Sequence, residues 1–272
     1  MTIEKSVLRQ AQLLLLEGLK EIDRICNKHN INYWIDGGTL LGAKRHGGFI
    51  PWDDDIDICM IREDFNKFIK ISESEINKEK YFLHTIYSDP FHYLNCPSRL
   101  RILGTKLRPK GVKKYGRSVS GLFIDILPFD KYSKFYFKRK YIERMLSLLF
   151  RIKTGSQYPS PRFWRAVLSK TFGIFLSRNF LLKLAKYLSN SFSKKTKNYI
   201  YAYGVEVSYS RYIFKKETLF PINKIVFEGT KFNCPNNIEE YLKQIYGPDY
   251  MIEPPEEARE VHFCNIEISL RK

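Results

Sequence analysis

The sequence predicts an α/β (α+β) fold in which a mixed β-sheet is flanked by helices. Residues 3–30 carry apolar side chains at intervals of three and four, which is the spacing of an amphipathic helix. Over the first 130 residues, helical patterns of this kind are mixed with short apolar segments that read as strands. The length of 272 residues and the hydrophobic content of 44% are sufficient to bury a full core.

The elements of the first half can be placed in order. Residues 32–36 (NYWID) predict a short strand, and Thr39 stands where a helix running to about Arg45 would begin. Residues 56–61 (IDICMI) predict a second strand, which the segment EDFNKFIKI follows as a helix. Further strand candidates are YFLHTIY (81–87), SRLRIL (98–103) and GLFIDILPF (121–129).

The middle of the chain differs in charge from the rest. Residues 131–200 contain 17 lysines and arginines but one acid, Glu143, so this segment carries almost all of the net charge of +17. Its cations alternate with aromatic and leucine-rich stretches. We interpret 131–200 as a basic, aromatic helical insertion between a catalytic core (1–130) and a C-terminal part (201–272) that completes the core.

The C-terminal part returns to sheet-like sequence. The segment KIVFEGTKFNCP (224–235) reads as strand, and a helix follows from about Asn237 to Tyr246. Asn236 and Glu239 have the spacing of a capping box at its start, and Gly247 marks its end.

Several classes of protein are disfavoured by the sequence. No secretion signal and no run of 18 apolar residues is evident, so we expect a protein that does not span a membrane. The five cysteines are widely spaced without a C-x-x-C pair, which argues against a zinc or redox centre and predicts reduced thiols in the cytoplasm.

The stretch IDGGTLLGAKRHGGFIPWDDDIDICMI (35–61) concentrates four aspartates in five positions. Because residues two apart in a strand point to the same side, Asp55 and Asp57 should project together while Ile56 and Ile58 enter the core. Paired carboxylates with no nitrogen or sulfur ligand suit Mg²⁺, or Mn²⁺, as one ion or two. We expect Asp53 and Asp54 to brace the turn or to hold metal-bound water.

Two further features support a metal and phosphate site. Gly37, Gly38 and Thr39 lie between a strand and a helix, where free N–H groups attract phosphate. Asp125 lies within an apolar strand, where an unpaired charge is costly and a metal would offset that cost. An isolated run of acids is more often a solvated loop, but the combination of these features argues against that reading.

The motif GGTLLGAKRHGGFIPWDDDIDI resembles the signature of the LicD family of phosphotransferases, which have a nucleotidyltransferase fold and to which fukutin-related proteins are similar. FIDILPFD is similar to a later aspartate strand of that family, and YLKQIYGPDYMIEPPEEAREVH to its C-terminal motif. The resemblance covers about residues 1–130 and 225–265 and leaves the basic middle unmatched.

The resemblance implies transfer of a phospho-alcohol group, most familiarly phosphocholine from CDP-choline, to a hydroxyl of a glycan such as lipopolysaccharide, teichoic acid or capsule, or of its lipid-linked precursor. Asp55, Asp57 and Asp125 would then be catalytic metal ligands, with Asp125 as ligand or base. The residues Gly37, Gly38 and Thr39 would bind phosphate.

Five other residues are candidates for binding the donor, each with a structural alternative. Lys44 and Arg45 could reach the nucleotide diphosphate or complement the helix dipole. Arg101 could bind phosphate or form a buried ion pair. Arg259 and His262 match the C-terminal motif and could close over the site or be structural.

The basic middle predicts a partner of its own. Basic faces beside aromatic ones are typical of helices at anionic lipid, so we expect 131–200 to dock at the inner face of the cytoplasmic membrane. A solvated basic surface is the alternative. A nucleotidyltransferase would use the same acids, and a nucleic-acid-binding protein would explain the charge but not the acid cluster, which disfavours nucleic acid as a partner. A metal-dependent glycosyltransferase would leave the double glycine without a role.

Overall fold

The computed structural model describes residues 4–85, 97–109, 121–133, 144–157, 199–204, 212–259 and 263–269, together with the positions 88, 89, 141, 167, 171–173, 175–177, 179–181, 183, 184, 187 and 207. Most of the basic segment 131–200 therefore lies outside the described residues. None of the helices in the described ranges combines the length and the apolar character that crossing a bilayer requires.

The helices flank a sheet core, as the fold class predicts. The α-helices with defined bounds are α1 (Lys5–His29), α2 (Gly37–His46), α3 (Arg62–Glu75), α4 (Arg144–Gln157), α5 (Lys216–Leu219) and α6 (Ile238–Tyr246). The strands are β1 (Trp34–Ile35), β2 (Ile56–Ile61), β3 (Tyr81–Thr85), β4 (Ser98–Ile102), β5 (Thr105–Pro109), β6 (Phe123–Ser133), β7 (Tyr199–Tyr203), β8 (Asn223–Phe227), β9 (Thr230–Cys234) and β10 (Phe263–Ile268).

A six-stranded mixed sheet forms the centre of the molecule. Its order is β1-β2-β6-β4-β3, and β7 pairs with the second half of β6. The pairing β2–β6 is parallel, whereas β1–β2, β4–β6, β3–β4 and β6–β7 are antiparallel. The hairpin β8–β9 and the long-range antiparallel pair β5–β10 complete the described sheet structure. The predicted α/β class is therefore confirmed.

The core lies between the sheet and its helices. Helix α1 buries Leu15, Leu19 and Ile22 completely, and the apolar positions Ile56 and Ile58 of β2 are likewise fully buried. Burying a side chain of this size stabilises the fold by roughly 2 kcal/mol. Because Asp57 lies between the two isoleucines and points to the opposite face, packing of β2 fixes the direction of its carboxylate.

Some element boundaries differ from those expected. Helix α2 begins at Gly37 and not at Thr39, with Asp36 as its N-cap residue. Helix α6 is capped by Asn237, whose side-chain oxygen accepts from the N–H of Glu240, so the predicted capping pair Asn236 and Glu239 is wrong by one residue. The strand expected at 121–129 continues to Ser133, because β7 gives its second half a hydrogen-bonding partner.

The cysteines contribute no disulfide in the described part of the chain. Cys26, Cys59 and Cys234 are buried free thiols, in agreement with the predicted reduced state. The side chains of Cys96 and Cys264 lie outside the described residues.

Candidate active site

The first turn of α2 brings backbone N–H groups and carboxylates together. Gly37 has a positive φ of 51°, and a Cβ added there would lie 3.2 Å from Oδ2 of Asp57. A Cβ added at Gly38 would lie 2.8 Å from Oδ2 of Asp53. Glycine is therefore required at both positions for the two carboxylates to approach the helix N-terminus, where the dipole favours negative charge.

Sheet register places Asp57 and Asp125 side by side. They are direct partners in the parallel pair β2–β6, and Asp125 is at the same time the partner of Arg99 in the antiparallel pair β6–β4. Arg99 is in turn the partner of His84 in β3. One row of polar side chains thus crosses an otherwise apolar sheet, from Asp57 through Asp125 and Arg99 to His84.

A second group of carboxylates lies on the turn before β2. Oxygen atoms of Asp53, Asp54 and Asp55 lie within 4.8 Å of one another, with Asp53 and Asp54 buried and Asp55 half-buried. The sequence led us to expect only bracing or water-holding roles for Asp53 and Asp54. In the structure, the oxygen atoms of Asp53 and Asp54 lie close enough to those of Asp55 for the three residues to share one cation.

The carboxylate of Asp57 has a raised proton affinity. Burial raises the pKa of Asp57 well above its usual value, and the charges of Asp55, Asp125, Asp36 and Asp53 raise it further. No described side chain donates a hydrogen bond to the Asp57 carboxylate. A divalent cation among these oxygens would replace the missing counter-charge, so the residues present fit Mg²⁺ or Mn²⁺, both of which favour oxygen ligands.

Asp125 differs from our expectation in having a cationic partner. Arg99 donates from Nε to Oδ1 at 2.5 Å and from Nη2 to Oδ2 at 3.2 Å. The argument that Asp125 needs a metal because it is otherwise unpaired is therefore wrong, although its position beside Asp57 leaves it available as a ligand. The sequence contained a signal for Arg99, since it alternates with Arg101 along β4 and so shares its face.

A buried carboxylate, Asp36, holds the site to the rest of the fold. Asp36 is 1% exposed and accepts hydrogen bonds from the hydroxyls of Tyr203 in β7 and Tyr241 in α6 and from the thiol of Cys59. Burial and the charge of Asp36 raise the pKa of both phenols, which keeps them protonated as donors. Sequence reasoning missed this network because its members come from distant segments.

Thr39 braces β2. Its buried hydroxyl accepts the backbone N–H of Asp57 at 2.9 Å, so it fixes β2 against the first turn of α2. The phosphate contact predicted for Thr39 would therefore have to come through its backbone N–H. Asp36 makes no side-chain cap to that turn.

The predicted basic residues have other partners in the structure. Arg45 donates to the carbonyls of Tyr250 and Ile252, and Lys44 lies 3.8 Å from Glu239. These contacts join the end of α2 to the C-terminal part of the chain.

Arg101 and Arg259 also have structural partners. Arg101 is buried and donates to His84 and to the carbonyl of Gly121. Arg259 stacks on Trp52 at 4.0 Å, directly before the aspartate run, and pairs with Glu253. His262 lies outside the described residues.

Comparison with known proteins agrees with the resemblance that the sequence motifs carry. Residues 30–154 match the family described as LicD/FKTN/FKRP, nucleotidyltransferase domain. The lipopolysaccharide cholinephosphotransferase LicD of Haemophilus influenzae is 29% identical over 96% of this chain and 97% of its own length. The ribitol 5-phosphate transferase FKRP of Homo sapiens is 43% identical over 53 residues, which are 18% of this chain and 11% of that protein. An uncharacterized protein of Rickettsia typhi is 49% identical over 59 residues, 22% of this chain and 19% of that protein.

Proposed function

We propose that this chain, which carries a LicD-type nucleotidyltransferase domain over residues 30–154, transfers a phospho-alcohol group from a CDP-activated donor to a hydroxyl of a cell-surface glycan or its lipid-linked precursor. Phosphocholine from CDP-choline is the preferred group, because the relative that matches along nearly the full length is a cholinephosphotransferase. The observation that carries the proposal is the convergence of Asp55 and Asp125 on Asp57, whose carboxylate lies at the first turn of α2.

The proposed chemistry follows from charge. A donor diphosphate is strongly anionic, so the acid cluster can receive it only with a cation. Bound Mg²⁺ or Mn²⁺, one ion or two, would neutralise the diphosphate and the charge that develops on the transferred group. Asp55, Asp57 and Asp125 would hold the metal, and the N–H groups of 37–39 would bind phosphate oxygens.

The attacking hydroxyl needs a proton acceptor or a metal to activate it. Asp125 can serve as a ligand or as the base, since its carboxylate lies beside Asp57 and remains 17% exposed. Arg259 stacks on Trp52, which directly precedes the acid run, so Arg259 is a candidate for contacting the donor.

The acceptor is proposed to lie at the membrane. A lipid-linked glycan would present its hydroxyl at the inner face of the cytoplasmic membrane, and the basic segment 131–200 supplies cations for an anionic lipid surface. In α4, Met145 and Leu148 are more than half exposed, which adds apolar side chains to this basic segment.

Product identity tests the proposal. Purified protein is incubated with CDP-choline, Mg²⁺ and lipid-linked glycan, and we expect CMP to be released while the glycan gains the mass of phosphocholine. CDP-ribitol and CDP-glycerol in parallel identify the transferred alcohol. Release of pyrophosphate from a nucleoside triphosphate, with no CMP from any CDP-alcohol, would contradict the proposal in favour of a nucleotidyltransferase.

A matched pair of variants ties the activity to the site. Asp55→Asn should abolish CMP release, because it removes a proposed ligand. The control, Asp23→Asn, replaces a carboxylate of α1 that accepts hydrogen bonds from the side chains of Tyr33 and Asn27. This variant should leave turnover unchanged. Equal activity of the two variants would contradict the assignment of the acid cluster.

A further inference from the structure

Strand β6 carries two carboxylates, each held by an arginine in the same way. Arg99 donates hydrogen bonds to the Asp125 carboxylate from Nε at 2.5 Å and from Nη2 at 3.2 Å. Arg62 donates to the Asp130 carboxylate from Nε at 2.7 Å and from Nη2 at 2.8 Å. The Asp130 side chain is 1% exposed, whereas that of Asp125 is 17% exposed. Five positions apart in one strand, the two acids point to opposite faces of the sheet.

The two pairs differ in their surroundings. Asp125 is the register partner of Asp57 and belongs to the acid cluster, whereas the Arg62–Asp130 pair lies on the other face. The guanidinium of Arg99 also lies 4.0 Å from the ring of Phe123. This second contact does not depend on Asp125, so it can hold Arg99 near the site when the ion pair opens.

Arg99 and a bound cation would compete for the same oxygens. Both oxygens of Asp125 accept from Arg99 in the described state. A divalent cation sharing either oxygen would stand close to the guanidinium, and in a partly buried site two such positive charges repel strongly. The planar guanidinium suits a phosphate as well as it suits a carboxylate, because both accept bidentate hydrogen bonds.

We propose that Arg99 is a positioning residue that exchanges partners, holding Asp125 while the cation site is empty and turning to the donor diphosphate when a cation takes Asp125. The inference rests on the proposed function, since it assumes the cation and the diphosphate donor. It assigns Arg99 a role in both halves of the site: it keeps Asp125 in place before metal binding and adds positive charge beside the diphosphate afterwards.

Metal affinity without donor gives the first test. Mn²⁺ binding to the full-length protein is measured by electron paramagnetic resonance for the wild type, Arg99→Gln and Arg62→Gln. Because Arg99→Gln removes a positive charge that competes with the cation, this variant should bind Mn²⁺ about tenfold more tightly than the wild type. Arg62→Gln, which removes the same charge from the other face, should bind as the wild type does. Arg62→Lys serves as control if Arg62→Gln fails to fold.

Donor affinity gives the second test. In saturating Mn²⁺, Arg99→Gln should bind CDP about tenfold more weakly, while Arg99→Lys retains part of that affinity because it keeps the charge without the fork. If the role of Arg99 were merely structural, Arg99→Gln would weaken the binding of both Mn²⁺ and CDP and would lower the melting temperature. Tighter Mn²⁺ binding with weaker CDP binding is the pattern that partner exchange predicts and that a merely structural role does not.

The outcomes separate this inference from the proposed function. If the wild type binds Mn²⁺ and Arg99→Gln binds it equally or more weakly, the exchange is overturned but the proposed metal site stands. Unchanged CDP affinity in Arg99→Gln also overturns it. Absence of Mn²⁺ binding by the wild type, with CDP or without, would overturn the metal-dependent function and the exchange together.

Discussion

At the scale of single residues, the burial of the Asp57 carboxylate in the candidate site costs folding stability. Its carboxylate is directed by the buried isoleucines on either side of it toward four other acids, which raise its pKa. An ionised group whose folded pKa is raised destabilises the folded state at every pH above that pKa. The cost is largest above the folded pKa and shrinks to zero as the pH falls from the folded pKa to the ordinary pKa of an aspartate, because the proton taken up in the folded state removes the charge that is costly to bury.

The first prediction is that Asp57→Asn stabilises the metal-free protein and abolishes its turnover. Asparagine removes the charge but keeps the shape, so the melting temperature at neutral pH should rise by several degrees, equivalent to about 1 kcal/mol. The gain should shrink toward acidic pH, where wild-type Asp57 takes up its own proton. Mg²⁺ should raise the melting temperature of the wild type but not of the variant. Differential scanning calorimetry across pH, with and without Mg²⁺, measures all three effects.

Asp130→Asn is the control for that prediction. Asp130 is buried but paired with Arg62, so its neutralisation should lower the melting temperature. A loss of stability in Asp57→Asn comparable with that in Asp130→Asn would contradict the proposed repulsion.

The second prediction concerns Gly37, where conformation and site geometry coincide. Alanine at a positive φ costs about 1 kcal/mol of folding stability wherever it occurs. Gly37→Ala adds a methyl group 3.2 Å from the Asp57 carboxylate, and Gly47→Ala, at a φ of 67°, adds one with nothing within 4 Å. Both variants should lose similar stability, but only Gly37→Ala should lose Mn²⁺ affinity and turnover. Equal activity in the two variants would show that the first turn of α2 does not bear on the site.

At the scale of elements, the sequence predicts what is local and misses what depends on partners. The strand 56–61 and the helix 3–30 agree with β2 and α1 because hydrophobic period and burial coincide there. The pair β5–β10 was not predicted, since its register partners Pro109 and Phe263 lie 154 positions apart in the sequence and neither strand is strongly apolar. Long-range pairing leaves no periodic signal in either strand alone.

The same division holds for the site. The acids and glycines of 35–61 were predicted because they lie in one stretch, and Asp125 because a charge in an apolar strand is conspicuous. Arg99 as the partner of Asp125, and the tyrosines that hold Asp36, depend on register between distant strands. Only the folded structure therefore shows which carboxylate forms an ion pair with an arginine and which does not.

The third prediction tests how α6 supports the site. Tyr241→Phe removes the hydroxyl that donates to buried Asp36 at 2.6 Å, and leaves that carboxylate under-satisfied, which costs about 1 to 3 kcal/mol. Tyr33→Phe removes a comparable bond, 2.7 Å to Asp23 in α1. Chemical denaturation should show a loss in both variants. Only Tyr241→Phe should also reduce turnover, because Asp36 is the N-cap residue of α2 and its carbonyl and N–H join that helix to β2. Unchanged turnover in Tyr241→Phe would contradict this link.

At the scale of the whole molecule, charge is divided between two parts of the chain. The proposed catalytic chemistry needs a local excess of acids, which the cluster at 53–57 supplies, while residues 131–200 carry almost all of the net charge of +17. A basic surface at an anionic membrane would hold the acid site near a lipid-linked acceptor without a covalent anchor.

The fourth prediction follows from that division and concerns membrane binding. Sedimentation with vesicles should show binding to anionic lipid and much weaker binding to neutral lipid, and the difference should disappear in high salt. Arg144→Gln with Lys183→Gln removes two exposed cations of the basic segment and should weaken binding by roughly thirtyfold, since each cation near the surface contributes about 1 kcal/mol. Lys70→Gln with Lys224→Gln removes two exposed cations elsewhere and should have little effect. Because the two double variants have the same net charge, equal loss of binding would mean that overall charge attracts the protein to lipid and that the basic segment has no docking role.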